Sequence, residues 1–264
     1  MNKALALSDG GHLAYKVEGS GPPLLLVSGL GGLGAFWATF AQACSFHYTV
    51  ITYDHRGTGN SSRCDRPYSI AGMAEDAREL CDHLGLTDVL YVGHSTGGAI
   101  GQHLATHQLL TLRALVLSAT FAAPCRYFWR LFNSRLQLLQ HMGLDAYREH
   151  ASLILYPPYW LAQQDAPTMA PAPAPHPLDA KITERRIQAI LEHNCRQVLN
   201  RITCPTLVIS ANDDIVTPEY HSAELAQAIP NAERVQFDYG GHYLPHTRFP
   251  DYYQHVFDFL QTTS

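Results

Sequence analysis

The residues best suited to do chemistry are a serine, two aspartates and a histidine that follow one another in this order along the chain. Ser95 lies in the segment GHSTG (93–97), which fits the pattern G-x-S-x-G. A serine nucleophile needs a histidine base, and the base needs a carboxylate to orient it. Asp213, Asp214 and His242 supply these residue types further along the chain. The set predicts acyl transfer, in which Ser95 attacks a carbonyl carbon while His242 takes its proton.

The sequence around Ser95 predicts a sharp turn between a strand and a helix. Asp88 to Val92 is a strand pattern, and residues 96–107 form a helical pattern rich in small residues. At such a turn the glycines two positions before and after the serine prevent steric collisions. The turn would place the serine hydroxyl at the carboxyl end of the sheet and aim the first helical amide at an oxyanion. The competing interpretation is a tight turn with an incidental serine.

The two aspartates and His242 also follow predicted strands. Residues 206–210 precede the aspartates, and residues 233–238 precede His242. Open α/β sheets place their sites at the carboxyl ends of the strands, so these side chains are expected to meet Ser95 there. His242 is one of fifteen histidines, and its alternative role is that of an ordinary loop residue.

Alternating strands and helices predict an α/β fold with a mostly parallel twisted sheet and helices on both faces. Residues 12–17 alternate and precede a Gly/Pro turn, which predicts an antiparallel hairpin leading into the buried strand Leu24 to Val27. Further strands are predicted at 48–53 and 112–117, and helices at 35–44, 69–84 (with Ser69 as a cap), 219–228 and 250–261.

A helical, aromatic-rich insertion interrupts this alternation at residues 121–195, within a core formed by residues 1–120 and 196–264. Its five prolines between Pro167 and Pro177 disfavour helix or central strand there. Because Ser95 must reach His242 and one of the two aspartates, the two flanking parts are expected to share one sheet. The insertion is then part of this domain rather than an independent one.

Composition excludes several functional classes. The 264 residues carry a formal charge of −5 and only 16% charged residues, which disfavours a nucleic-acid binder and intrinsic disorder. No apolar run reaches the length of a membrane span, and no signal peptide is recognisable, so a cytoplasmic protein without membrane contact is predicted. The six cysteines form no C-x-x-C pair, and the histidines are scattered. No metal or cofactor is therefore expected; the expected partner is a small-molecule substrate, and a homodimer remains open.

Over nearly its whole length the chain resembles the α/β-hydrolase fold family. The resemblance is carried by SGLGG (28–32), YDHRGTGNS (53–61), GHSTGG (93–98), DDIVTP (213–218) and GH (241–242). The family usually places its acid four residues before the proline of the D-x-x-x-P loop, which implies Asp214 rather than Asp213. The alternative acid position, after the sixth strand, reads SATF (118–121) and offers no carboxylate.

The same resemblance implies that the insertion at 121–195 is a lid over the site, as in many relatives, and it implies roles for the surrounding residues. The oxyanion hole would consist of the backbone amides of Leu30 and Thr96, although many relatives have His-Gly where this chain has Ser28-Gly29. Asp54 and Arg56 would form an ion-paired brace for the loops. His94 is expected to pack near the nucleophile, and His246 is a weaker candidate for a second site histidine.

The insertion suggests an aromatic pocket for a small organic substrate, and the residues expected to contact that substrate are Tyr156, Trp160 and Tyr243. The serine disfavours haloalkane dehalogenases and epoxide hydrolases, which use aspartate. His94 and Tyr243 stand where C–C hydrolases usually have Asn and Trp.

Closer similarity is to the aminoacrylate hydrolases of pyrimidine breakdown, in segments 28–32, 56–60, 68–71, 155–160 and 239–242. Enol-lactonases and small carboxylesterases remain equally open, because fold and triad do not specify a substrate. A ligand-binding protein without catalysis and a cofactor-independent dioxygenase are the other functional classes that this fold allows.

Overall fold

A computed structural model describes residues 3–64, 67–164 and 178–263, and within them the strands form a single mixed sheet. The strands are β1 (Lys3–Ala6), β2 (His12–Glu18), β3 (Pro23–Val27), β4 (Thr49–Tyr53), β5 (Val89–His94), β6 (Leu112–Ser118), β7 (Thr206–Ala211) and β8 (Glu233–Phe237). Their order in the sheet is β1-β2-β4-β3-β5-β6-β7-β8. The six strands from β4 to β8 in this order are parallel, and only β1 and β2 run antiparallel. The mostly parallel α/β sheet expected from the sequence is confirmed.

Helices cover both faces of the sheet. They are α1 (Ala38–Cys44), α2 (Ile70–His83), α3 (Thr96–Thr106), α4 (Arg126–Leu155), α5 (Pro158–Leu161), α6 (Ala180–Leu191), α7 (Glu219–Ala228), α8 (Leu244–Thr247) and α9 (Phe249–Thr262). Side chains alternate along a strand, so neighbours in β3 enter different cores. Leu25 packs with the α2 and α3 face, and Leu24 packs with the α1 and α9 face. Strands buried on both faces explain the unbroken apolar runs and part of the low charge content.

The predicted hairpin between residues 12–17 and Leu24 is wrong. β2 pairs antiparallel with β1, where Lys3 faces Tyr15, and with β4, where Tyr15 faces Tyr53. Both edges of β3 are already occupied by parallel partners, β4 and β5. β2 therefore has no free edge of β3 to pair with. The short strand β1, which the sequence did not predict, is its hairpin partner.

The segment between β6 and β7 contributes α4, α5 and α6. Within α4, Gly143 has φ +83° and breaks the helix into two parts, a conformation that glycine adopts without a Cβ penalty. Asp179 caps α6 by accepting a hydrogen bond from the Ile182 amide at 2.9 Å. The Pro-rich stretch 167–177 lies outside the described residues. None of the helices in the described ranges has the length and apolar content needed to cross a bilayer.

Two histidines, His193 and His221, are buried among aromatic rings and form no ion pair with an acid in the described part of the chain, which accounts for part of the histidine excess. His193 packs edge-on against Phe121, with ring centroids 5.7 Å apart, and His221 packs against Phe128 at 5.9 Å. Burial lowers the pKa of each ring to about 4. The folded protein therefore holds both rings neutral at pH values where an unfolded chain would bind protons.

Stability should fall as the pH drops from about 6.5 to about 4. In this window the unfolded chain binds more protons at these histidines than the folded chain, so the free energy of unfolding rises with pH. The contribution of each histidine to the free energy of unfolding is fully present above pH 6.5, and it has fallen by up to about 3 kcal/mol at pH 4. Replacing the buried His193 (7% exposed) with glutamine should flatten the pH dependence measured by urea unfolding at pH 7.5, 6, 5 and 4. His141→Gln, at an exposed position, should leave this pH dependence unaltered. If the free energy of unfolding changed equally with pH in the wild type and in both variants, this account would be contradicted.

Candidate active site

Ser95 occupies a strained turn between β5 and α3. Its φ is +54° and its ψ is −117°, a region that non-glycine residues rarely adopt. A Cβ on Gly93 would collide with the carbonyl of Gly97, and a Cβ on Gly97 would collide with the carbonyl of Val27. The Ser95 amide donates to Ser118 O at 2.8 Å, and Thr120 Oγ1 donates to Ser95 O at 2.6 Å. The two glycines thus leave space for the strained conformation of Ser95. The hydrogen bonds with Ser118 and Thr120, at and just after the end of β6, hold it in place.

Asp214 and His242 form a buried pair at the ends of β7 and β8. His242 Nδ1 lies 2.8 Å from Asp214 Oδ2, and the two residues are each 2% exposed. Asp214 Oδ1 accepts the amides of Val216 at 2.7 Å and Thr217 at 2.9 Å, and Oδ2 also accepts Thr217 Oγ1 at 2.8 Å. These bonds fix the carboxylate, so that the Nδ1 proton of His242 points to it and Nε2 is left for other chemistry.

The neighbouring Asp213 has a different task. Its Oδ1 accepts the amides of Gly240 at 2.8 Å and Gly241 at 2.7 Å, in the loop that precedes His242. Spacing to Pro218 in family members had selected Asp214 over Asp213, and the hydrogen bonds separate the two aspartates in the same way. One carboxylate orients the histidine ring, and the other shapes the loop that carries it.

His94 links Ser95 to the Asp214–His242 pair. Its ring lies 4.9 Å from the His242 ring and stacks on Phe36 at 4.8 Å. Nδ1 is 3.3 Å from Ser118 Oγ. Burial, and then the nearby His242 and His246, hold the pKa of His94 well below its usual value. A neutral, packed ring at this position agrees with the packing role expected from the sequence, and it brings the residue before Ser95 into contact with His242.

The loop of Leu30 lies directly against the serine. A Cβ on Gly29 would be 3.1 Å from the Cβ of Ser95. Thr96 is the first residue of α3, where a helix leaves its amides without internal acceptors. In the part of the chain that the structure describes, neither the Leu30 amide nor the Thr96 amide donates to a protein acceptor. Both amides therefore remain available near Ser95.

Arg186 holds the Leu30 loop from behind, a role that the sequence did not reveal. It is 1% exposed on α6, and its Nε donates to Leu30 O at 3.0 Å. Nη2 lies 3.0 Å from His55 Nδ1, and Nη1 donates to Arg56 O at 3.4 Å. Burial lowers the pKa of Arg186 to about 10. The available signal was an arginine on the apolar face of α6, beside Ile182 and Ile190.

The expected ion-paired brace is half correct. Arg56 pairs with Asp9 and with Asp76, its Nε lying 3.0 Å from Asp76 Oδ2. Asp54 instead accepts backbone amides, from Gly34 at 3.0 Å and from Asn60 at 2.9 Å. The Asp54 carboxylate therefore joins the loop before α1 to its own loop, and among the described residues it forms no ion pair with Arg56.

The three residues expected to contact substrate form one aromatic wall. Tyr156 stacks on Trp160 with centroids 4.5 Å apart and meets Tyr243 edge-on at 5.0 Å. The Tyr243 amide donates to Leu155 O at 3.0 Å, which ties the end of α4 to the loop of His242. His246, the weaker candidate for a second site histidine, donates from Nε2 to Phe36 O at 2.8 Å. The wall joins the insertion to the residue that follows His242.

Comparisons with known proteins agree with this geometry. The family model described as alpha/beta hydrolase fold matches residues 22–160 and 155–249. A protein of Stutzerimonas stutzeri named "Putative carbamate hydrolase RutD" is 38% identical over 240 residues, covering 88% of each chain. The crystal structure of a hydrolase from Pseudomonas aeruginosa has a TM-score of 0.88 at 30% identity and 98% coverage of both chains. The enol-lactonase of Burkholderia xenovorans has a TM-score of 0.89 at 25% identity, covering 98% of this chain and 100% of its own.

Proposed function

Since the chain belongs to the α/β-hydrolase fold family and is a hydrolase, we propose that it is a serine hydrolase that uses Ser95, His242 and Asp214 as its triad. The observation that carries the proposal is the bond of 2.8 Å between His242 Nδ1 and Asp214 Oδ2 at the same end of the sheet as Ser95. Its support is a strained serine, a buried oriented base and two available amides within one cluster. The insertion at residues 121–195, whose described part contributes α4, α5 and α6, serves as the cap over this cluster.

The reaction proceeds through an acyl-enzyme. Ser95 Oγ attacks the carbonyl carbon of the substrate, and His242 Nε2 takes the hydroxyl proton while Asp214 stabilises the imidazolium. The amides of Leu30 and Thr96 bind the oxygen that becomes negative, and one such donor contributes about 3–4 kcal/mol to the transition state. The tetrahedral intermediate then collapses: the bond from the carbonyl carbon to the leaving oxygen or nitrogen breaks as His242 protonates that atom, which leaves the acyl group on Ser95. Water, activated by the same histidine, hydrolyses the acyl-enzyme and restores Ser95.

The proposed substrate is a small ester or lactone that lies against the aromatic wall of Tyr156, Trp160 and Tyr243. The structural likeness to an enol-lactonase at 25% identity favours this class. A carbamate or a related amide-type bond is the second candidate, because relatives with 35% and 38% identity carry a carbamate hydrolase name. Hydrolysis of either kind of bond passes through a tetrahedral intermediate at the carbonyl carbon, so the same triad can catalyse both reactions.

A substrate panel separates these candidates. Purified protein is incubated with matched 4-nitrophenyl esters, lactones, N-alkyl carbamates and amides of similar size, and kcat/KM is compared across the bond types. We expect turnover of esters and lactones well above the spontaneous rate, and carbamates as the next best class. Turnover of carbamates alone would move the assignment to the second candidate. No turnover and no labelling of Ser95 by a fluorophosphonate would refute the serine hydrolase assignment itself.

A further inference from the structure

A buried arginine in the insertion has no acidic partner among the described residues. Arg135, in the first part of α4, is 4% exposed. Its Nη2 donates to the hydroxyl of Tyr147 at 2.8 Å, and its guanidinium lies over the rings of Phe132 at 5.1 Å and Tyr147 at 4.7 Å. Its Nε is buried with no hydrogen-bond partner. Removing a cation from water is unfavourable unless an anion or several acceptors compensate it, and the two rings compensate only in part.

Arg186, the other arginine that is buried among the described residues, has more complete polar contacts than Arg135. All three nitrogens of Arg186 lie near oxygen or nitrogen acceptors of Leu30, His55 and Arg56. Its position is explained by the loop that it holds. In the described part of the chain, only Nη2 of Arg135 has such a partner, so the fold leaves donors of Arg135 unused.

A second unused polar atom lies one helical turn beyond Tyr147. His150 is three residues further along the second part of α4, on the same face of the helix, and its buried Nδ1 has no partner among the described residues. Burial, and next the charge of Arg135, lower the pKa of His150. Arg135 Nε and His150 Nδ1, with the hydroxyl of Tyr147 beside them, make a cluster of groups able to bind the oxygens of an anion.

The helix that carries the cluster leads to the proposed catalytic residues. The second part of α4 holds Tyr147 and His150 and ends at Leu155, whose carbonyl accepts the Tyr243 amide at 3.0 Å. Tyr243 directly follows His242, with ring centroids 6.1 Å apart, and lies 5.8 Å from the His94 ring. Burial raises the pKa of Tyr243 and the charge of Arg135 acts in the opposite direction, which agrees with a guanidinium on the side of α4 toward the aromatic wall.

We propose that Arg135, His150 and Tyr147 form a carboxylate subsite, which binds the free carboxylate of a substrate whose scissile carbonyl lies at Ser95. The inference rests on the proposed serine hydrolase function and gives its substrate class: small anionic esters, lactones or carbamates with a second carboxylate. The planar guanidinium offers two parallel N–H donors to such a group. The carboxylate supplies the missing countercharge, and the unpartnered Nδ1 of His150 adds an N–H donor.

The subsite is tested with two series of 4-nitrophenyl esters. One series carries a terminal carboxylate (hemisuccinate, hemiglutarate and hemiadipate), and in the other an isopropyl group replaces the carboxylate. After subtraction of spontaneous hydrolysis, the wild type should prefer the best carboxylate ester to its neutral counterpart by at least tenfold in kcat/KM. Arg135→Met should reduce this preference at least tenfold, mostly through KM, and Arg135→Lys should reduce it less. Arg130→Met, at an exposed position on the same helix, should keep the preference.

A merely structural role would lower both series together and leave the preference unchanged in Arg135→Met and Arg135→Lys, which would overturn the proposal. Binding of glutarate, measured by calorimetry with Ser95→Ala and with Ser95→Ala/Arg135→Lys, does not depend on turnover. At least tenfold weaker binding in the double variant supports the subsite even if no ester is hydrolysed, in which case only the proposed function fails. Equal glutarate affinity in the two proteins, or binding by neither, refutes the subsite.

Discussion

Replacing Ser95 with alanine should lower kcat for the best ester or lactone substrate by about 10³- to 10⁶-fold. The variant removes the attacking oxygen, so no acyl-enzyme forms. The oxyanion amides of Leu30 and Thr96 remain, and residual turnover above the spontaneous rate is expected from them. KM should change little, because the aromatic wall is untouched. Stopped-flow or steady-state assays of the purified variant measure the loss directly.

The fold of this variant should survive, and stability provides an internal check. Alanine at a position with φ +54° carries a strain similar to that of serine. The free energy of unfolding should therefore stay within about 0.5 kcal/mol of the wild-type value. The control is Ser134→Ala, at an exposed serine whose hydroxyl bonds only to Leu131 O in the described chain; it should keep full activity and fluorophosphonate labelling. Undiminished hydrolysis by Ser95→Ala would remove Ser95 from the mechanism.

Assays of the wild type and of Ser95→Ala together separate the proposed hydrolase from two other functional classes that the fold can host. A ligand-binding protein would show no turnover and no labelling by a fluorophosphonate in the wild type. A cofactor-independent dioxygenase would consume oxygen and would depend on His242 and Asp214 while tolerating the loss of Ser95. Oxygen uptake, measured beside ester hydrolysis, therefore assigns the chemistry to one class.

Local sequence patterns were enough to predict the turn at Ser95. The glycines at 93 and 97 are required because neighbouring carbonyls leave no space for a Cβ, and that requirement is visible in the sequence itself. The meeting of the residues after β7 and β8 was also predictable, because a parallel sheet brings the carboxyl ends of its strands to one edge. Elements of strong apolar periodicity were predicted within a few residues.

Pairings between distant segments were not visible in the sequence. The strand at 12–18 pairs with β4 rather than β3 because the edges of β3 are occupied, and no local pattern encodes that competition. Arg186 and Arg135 were missed for a related reason. Arg186 contacts the Leu30 loop of the core, and Arg135 contacts Tyr147 across the break in α4, and neither contact is visible in composition or spacing.

The two adjacent aspartates allow a matched test of the triad. Asp214→Asn should lower kcat by about 10⁴-fold, because the amide cannot stabilise the imidazolium and favours the wrong histidine tautomer. Asp213→Asn keeps an oxygen that can still accept the amides of Gly240 and Gly241, so its kcat should fall by less than about tenfold. The comparison uses the same chemical change at neighbouring positions, and kcat of both variants is measured on one ester.

Stability distinguishes the two roles further. Asp213→Ala removes the acceptor for two loop amides and should lower the free energy of unfolding by about 1–3 kcal/mol. Its kcat should fall only as far as the loop of His242 is displaced. If Asp213→Asn instead abolished activity while Asp214→Asn retained it, Asp213 would be the acid. The bond of 2.8 Å from His242 to Asp214 would then represent packing rather than catalysis. Because Asp214 accepts hydrogen bonds from two amides, a hydroxyl and the histidine ring, its carboxylate is the one that the fold holds fixed against the base.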